Sequence, residues 1–267
     1  MTKDINTPWR QIAAAIYEKP VDGKISGIQD FKMEHIAKAM KEWNADGHRV
    51  TYTHVFMSLL IRSMAEYAPE LNAYCQWGKT IARDEFVIST AVSVKGQDLT
   101  TIKIHNADKK SVLDIAKETN DYVTSKRAGT ADNTTKKRNV LASIPWPFRK
   151  WIFKLLRWMT YEVGIQIPAS GLHRDLFGSV LVSNIGPLGM AYGIPALMPA
   201  SNLSFVFTIG KVTEKAIVQD GKVVPCLMLP AAATFDHRIA DGAHISKLVK
   251  GMIYYMENPH ELAISKL

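Results

Sequence analysis

The stretch from Leu227 to Gly242 constrains the fold more than any other part of the chain. Leu227 to Phe235 is an apolar run whose one polar member is Thr234, and it reads as a strand. It passes directly into Asp236-His237-Arg238-Ile239-Ala240-Asp241-Gly242. A helix then runs from about Gly242 to Met256 and stops before Pro259. The chain must therefore build a sheet with one strand that ends where a helix starts, and a charged loop sits at that junction.

The remaining segments extend this pattern. Lys24 to Phe31 reads as a strand and Met33 to Trp43 as a helix, after a short helical stretch around Trp9 to Tyr17 that Pro20 ends. Thr51 or Thr53 caps a long helix through Tyr67, with Val55, Leu59 and Met64 buried and Pro69 as its stop. Phe86 to Val94 and Leu99 to His105 alternate as strands do, across a turn at Lys95-Gly96-Gln97-Asp98. Ser111 caps a helix to about Lys126. Further strands are expected near Ser179 to Ser183, Leu203 to Val212 and Ala216 to Gln219, with an Asp220-Gly221 turn leading into Val223 and Val224. Strands and helices mix without strict alternation, so the fold class is α+β, a mixed β-sheet flanked by helices.

Charge is unevenly distributed. The chain carries 33 Lys+Arg against 25 Asp+Glu, a formal net charge of +8. Thr134 to Tyr161 holds seven basic residues (Lys136, Lys137, Arg138, Arg149, Lys150, Lys154 and Arg157) and no acidic one, so the rest of the chain is close to neutral. The same segment holds Trp146, Trp151 and Trp158. Pro147 opens a helix there, and at 100° per residue Phe148, Trp151, Ile152, Leu155, Leu156, Trp158 and Met159 share one arc opposite the basic residues, with Phe153 as the misfit. Three readings apply to this 147–161 helix. It packs on its own domain, it docks on a membrane surface or a partner, or it binds nucleic acid. No helix-turn-helix, zinc-finger or RNP pattern supports the last, so nucleic acid is not expected as a partner. Cys75 and Cys226 form no CxxC pair, and no run reaches the roughly 18 apolar residues of a spanning helix, so a reducing cytoplasm fits, with a peripheral membrane location if that helix docks on lipid.

His237 is the residue whose chemistry stands out. An imidazole with a pKa of about 6.5 suits base catalysis near neutrality, and a carboxylate four residues on, Asp241, can face it across one turn. Burial accounts for both cysteines, and His244, on another helix face, reads as structural. No GxSxG, GKS/T, HExxH or EF-hand pattern is present, so serine hydrolase, P-loop, zinc protease and calcium readings lack a motif, and no metal is expected.

Asp236 to Gly242 resembles the DHRxxDG signature of the 2-oxoacid dehydrogenase acyltransferase (E2) catalytic domain, which shares the chloramphenicol acetyltransferase fold. The resemblance continues elsewhere. Val50-Thr51-Tyr52 to Glu70-Leu71-Asn72 looks like the family's helix with a P-x-LN turn, and Ile104 to Ser111 is similar to its IKHADRKS segment. Phe177 to Gly186 resembles its GxxxTITNIG strand, and Gly210-Lys211-Val212 to Asp220-Gly221 its hairpin. The similarity covers most of 20 to 260 and is interrupted at the basic segment.

The resemblance implies a general base at His237 that takes the proton of a thiol, either coenzyme A or dihydrolipoyl, as the sulfur attacks an acyl thioester. A free thiol with a pKa of about 8.5 is mostly protonated at neutrality, so the base is needed. The family's strand puts Ser183 at the hydroxyl that stabilises the tetrahedral oxyanion, and Asp241 at the carboxylate that orients the loop; no acyl-enzyme is required. Coenzyme A enters as acyl-CoA substrate. The family also implies a homotrimer, or a multiple of trimers, with sites at subunit boundaries. The expected organisation is one catalytic domain over 1–267 with a basic helical insertion at about 133–175. No lipoyl domain is seen, so no covalent lipoyl group is expected on this chain and a separate lipoylated protein is an expected partner. The alternatives are a non-catalytic assembly module of the same fold and a membrane-surface acyltransferase with a hydrophobic acceptor. A drug-acetylating role fits less well, because the chloramphenicol enzymes show HHxxxDG where this chain has Asp236 before His237.

Overall fold

The structure is a computed structural model that describes residues 23–94, 98–127, 148–165, 175–198 and 201–266. The expected helix at Trp9 to Tyr17 and the turn at residues 95–97 lie outside them. In chain order the elements are β1 (Lys24–Lys32), α1 (Glu34–Ala45), α2 (Tyr52–Tyr67), β2 (Ala73–Gln76), β3 (Lys79–Ala82), β4 (Ile88–Val94), β5 (Asp98–Ile104), α3 (Val112–Arg127), α4 (Phe148–Trp158), β6 (Val180–Asn184), β7 (Phe205–Ile209), β8 (Thr213–Gln219), β9 (Lys222–Asp236) and α5 (Gly242–Glu257).

Seven strands form one mixed sheet in the order β1-β9-β7-β6-β4-β5, with β8 paired to β9. The pairs β4/β6 and β6/β7 are parallel, whereas β1/β9, β7/β9, β8/β9 and β4/β5 are antiparallel. Strand periodicity then sorts the side chains by face. Val180 and Val182 of β6, Phe205, Phe207 and Ile209 of β7, and Leu229, Ala231, Ala233 and Phe235 of β9 enter one core under the helices. The rings of Phe205 and Phe235 stack across the strands at 5.1 Å. The opposite face, which includes Leu181, Val206 and Thr234, is covered by the chain between β6 and β7. There Leu197, Leu203 and Val206 cluster with Phe177 and Leu181, and Thr234 Oγ1 donates to the Pro195 carbonyl at 2.7 Å.

Helix α2 is buried continuously from His54 to Met64 and forms the centre of the helical layer. Its N-terminus is closed by a reciprocal cap in which His54 N–H donates to Thr51 Oγ1 and Thr51 N–H donates to His54 Nδ1 at 3.2 Å. Helix α5 lies against it at Gly251, where a Cβ would collide with the Tyr67 ring and Ser63.

Two local features differ from the sequence expectation. The two stretches around Val223 and Leu227 to Phe235 are one strand, β9, that continues through Pro225. This is tolerated because Pro225 pairs with β8 alone; β1 begins to pair only at Met228, so the missing N–H leaves no partner unsatisfied on that side. The hairpin β2–β3 was not expected: its strands are four residues each and its turn is Trp77-Gly78, both at positive φ (49° and 69°). Finally, α4 forms where its periodicity predicts, and of the three readings open for it the structure leaves Phe148, Trp151, Ile152, Leu155 and Trp158 of its apolar arc exposed, with Leu156 and Met159 half-buried. Its C-terminal continuation, a π-helical turn over Met159–Val163, is the part that docks, through buried Thr160 and Tyr161.

Candidate active site

The loop after β9 is held by an ion pair within its own sequence. Asp236 and Arg238 are both buried, at 1% and 8% exposure. Arg238 Nε donates to Asp236 Oδ1 at 2.9 Å and to Oδ2 at 3.1 Å, Nη2 donates to Oδ2, and the Arg238 N–H donates to Oδ1 at 3.0 Å. Burial opposes the charge on this guanidinium, and Asp236 more than restores it. The N–H groups of Ile239 and Ala240 both donate to the Asp236 carbonyl at 2.9 Å, which curls the chain into a tight turn with His237 at its apex.

His237 is half-buried, and its Nδ1 lies 2.8 Å from the Ala240 carbonyl oxygen. A carbonyl can only accept, so Nδ1 carries the proton and Nε2 is the basic nitrogen. This is the tautomer a general base needs, and it is set by the backbone of the same turn.

Asp241 behaves differently from the expectation that it faces His237. Its carboxylate caps α5, accepting from Ala243 N–H at 3.1 Å and His244 N–H at 3.2 Å, and its Oδ1 lies 2.6 Å from His244 Nδ1. His244 in turn approaches Glu70 at 3.7 Å, and Lys247 reaches Glu70 at 2.7 Å. Asp241 thus anchors the loop to α5, and His244 and Glu70 anchor α5 to the end of α2. The residue that Asp241 contacts, His244, was read from the sequence as structural.

Ser183 is half-buried near the C-terminal end of β6, on the face opposite the helices. The next residue fixes that strand end: Asn184 Nδ2 donates to Thr53 Oγ1 at 2.8 Å, and Asn184 Oδ1 accepts from Gly186 N–H at 2.8 Å. Sheet register separates Ser183 from His237 within one chain. Ser183 pairs with Thr208, and Thr208 with Ala232, which precedes His237 by five residues on β9. Two strand spacings and five residues of rise put the two roughly 19 Å apart. One thioester carbonyl cannot touch both groups of the same chain.

The cysteines are unsuited to nucleophilic work. Both are buried and free, and burial pushes the Cys75 thiol up to about 11. Among the described residues no cluster of three or more His, Cys, Asp or Glu could hold a metal ion, and no helix is long and apolar enough to cross a membrane.

Residues 10–137 and 175–264 match the family described as 2-oxoacid dehydrogenases acyltransferase (catalytic domain), which is most of the chain. The chain belongs to this family. Among curated relatives, the dihydrolipoyllysine-residue acetyltransferase component of the acetoin cleaving system of Bacillus subtilis is 22% identical over 219 residues, covering 82% of this chain and 44% of the relative. The chain therefore spans less than half the length of that acyltransferase. The fold matches the cubic core of a pyruvate dehydrogenase multienzyme complex, with a TM-score of 0.65 at 16% identity over 95% of this chain and 88% of the other. It also matches chloramphenicol acetyltransferase, with a TM-score of 0.55 at 16% identity over 96% of this chain and 99% of the other. The α+β fold of the acyltransferase family is thereby established, and the unmatched stretch, 138–174, contains α4.

Proposed function

We propose that this acyltransferase-family chain transfers an acyl group between coenzyme A and a thiol acceptor, with His237 as general base and Ser183 as oxyanion donor. The observation that carries the reading is the His237 turn: a half-buried imidazole with Nδ1 tied to the Ala240 carbonyl, so that Nε2 accepts a proton. Nε2 takes the proton from the attacking thiol, and the thiolate adds to the thioester carbonyl. Negative charge develops on the carbonyl oxygen, and a serine hydroxyl aimed at it contributes about 3 kcal/mol. Collapse breaks the C–S bond to the leaving thiolate, which recovers the proton from His237. No covalent enzyme intermediate is required.

The separation of roughly 19 Å along and across the sheet supports a site built between copies, His237 from one and Ser183 from the next. A trimer or a multiple of trimers closes this heterologous contact so that every copy supplies both halves. Such a boundary also lets two thiols approach His237 from opposite ends of a channel. Coenzyme A is one of them, as substrate; the other is a small thiol or the dihydrolipoyl group of a separate lipoylated protein. We also read 1–267 as one catalytic domain with an insertion at about 133–175, a reading supported by the family match, which breaks after 137 and resumes at 175.

The test is thiol release from a panel of acyl-CoAs offered dihydrolipoamide and small thiols. Wild type should turn over at least one pair, and His237→Ala should lose most of that rate. Equal rates for both proteins on every pair would sink the assignment and favour a non-catalytic assembly module.

A further inference from the structure

Helix α4 lies wholly in the stretch that the acyltransferase family does not match. Its exposed side chains form one stripe at helical spacing: Phe148 (64%), Trp151 (67%), Ile152 (37%), Leu155 (56%) and Trp158 (48%). Trp77, at the tip of the β2–β3 hairpin and 61% exposed, meets Trp158 edge to face at 6.4 Å and extends the stripe. A contiguous apolar patch of this kind on a soluble domain marks an interaction surface.

The platform is held in place. Gln76 Nε2 donates to the Glu162 carbonyl at 2.8 Å, Trp77 N–H donates to the Glu162 carboxylate at 2.7 Å, and Thr160 and Tyr161 are buried beneath the turn that ends the helix. The helix therefore presents its apolar arc outward while its C-terminal end grips the β2–β3 hairpin.

Charge decides what covers it. From Thr134 to Tyr161 the chain has seven basic residues and no acidic one; on the helix itself Lys154 flanks the apolar stripe, its Nζ 5.8 Å from the Trp151 ring, and Arg157 lies half-buried on the side opposite the stripe. A second copy offering the same face would bring like charges together. An anionic bilayer supplies the complement. Tryptophan opposite basic residues is suited to the headgroup boundary, and eleven residues of helix are enough to lie along that plane and too few to cross it. We propose that α4 and Trp77 form a docking surface for an anionic phospholipid bilayer. The docking is independent of the acyl-transfer reading, since it is measured without turnover.

The experiment is co-sedimentation of the full chain with phosphatidylcholine vesicles with and without phosphatidylglycerol. Wild type pellets with the anionic vesicles and stays in solution with the neutral ones. Trp151→Ser combined with Leu155→Ser lowers partitioning by roughly tenfold or more, as two half-exposed apolar groups are lost from the contact. Lys154→Gln combined with Arg157→Gln lowers it by roughly 30-fold, at about fivefold for each basic residue near an anionic surface. Trp151, Lys154 and Leu155 are exposed and Arg157 is half-buried, and circular dichroism of both variants should match wild type. Equal pelleting with both vesicle types, or wild-type pelleting of either double variant, would overturn the proposal. So would a Trp151→Ser, Leu155→Ser protein that sediments as a smaller assembly than wild type while wild type ignores vesicles, because a second copy would then cover the face.

Discussion

Replacing Arg238 with Met removes the one side chain among the described residues that pairs with the buried Asp236 carboxylate, and the structure sets the size of the penalty. Three side-chain contacts and one charge are lost, while Asp236 stays at 1% exposure. Breaking a buried pair from one side costs about 3–5 kcal/mol because the remaining charge is uncompensated. The assay is urea unfolding at fixed protein concentration at pH 7 for wild type, Arg238→Met, Asp236→Asn and the double variant. A coupling of about 2–3 kcal/mol at pH 7 is expected for residues in direct contact. Activity should fall in all three variants, since the His237 turn hangs on this pair. A loss under about 1 kcal/mol would refute the reasoning.

Ser183→Ala should lower kcat about 100-fold with little change in KM, measured by thiol release; a pure KM effect would contradict an oxyanion role. Asn184→Ala frees the end of β6 from Thr53 and Gly186, and should cost about 1–3 kcal/mol in unfolding free energy and reduce kcat. Burial holds His54 down to about 4, against a weaker upward pull from a hydrogen bond to the Arg49 backbone. The native state therefore binds fewer protons than the unfolded chain, so stability should be full above about pH 6.5 and fall by about 3 kcal/mol toward pH 4. His54→Gln should flatten that part of the pH-stability curve, and an unchanged slope would remove His54 as its cause.

Much of the framework was legible from periodicity and caps. Thr51, Ser111 and Asp241 each stand immediately before the helix that forms after them, and the strand-loop-helix junction around His237 is where the sequence places it. The β2–β3 hairpin escaped because four-residue strands carry almost no alternation and a Trp at φ 49° is not a turn signal. The Asp236-Arg238 pair sits in plain view within the motif, but nothing in composition says that both side chains turn inward onto each other. Asp241 facing His244 rather than His237 reflects capping: the carboxylate takes the first N–H groups of α5, and the residue three positions on falls within reach. The exposure of α4 was hidden for a different reason. Amphipathicity reports that two faces differ and is silent on which one meets solvent. The distance between Ser183 and His237 depends on strand order and register, which neither residue's local sequence encodes.

The claim that the active site spans two copies is tested most directly by subunit mixing. His237→Ala and Ser183→Ala chains are each expected to be nearly inactive or strongly impaired alone. Co-expressed in equal amounts, they should regain roughly a quarter of wild-type turnover, because random pairing joins an intact His237 to a neighbour's intact Ser183 at that fraction of boundaries. Activity no higher than the mean of the two separate variants would contradict the account.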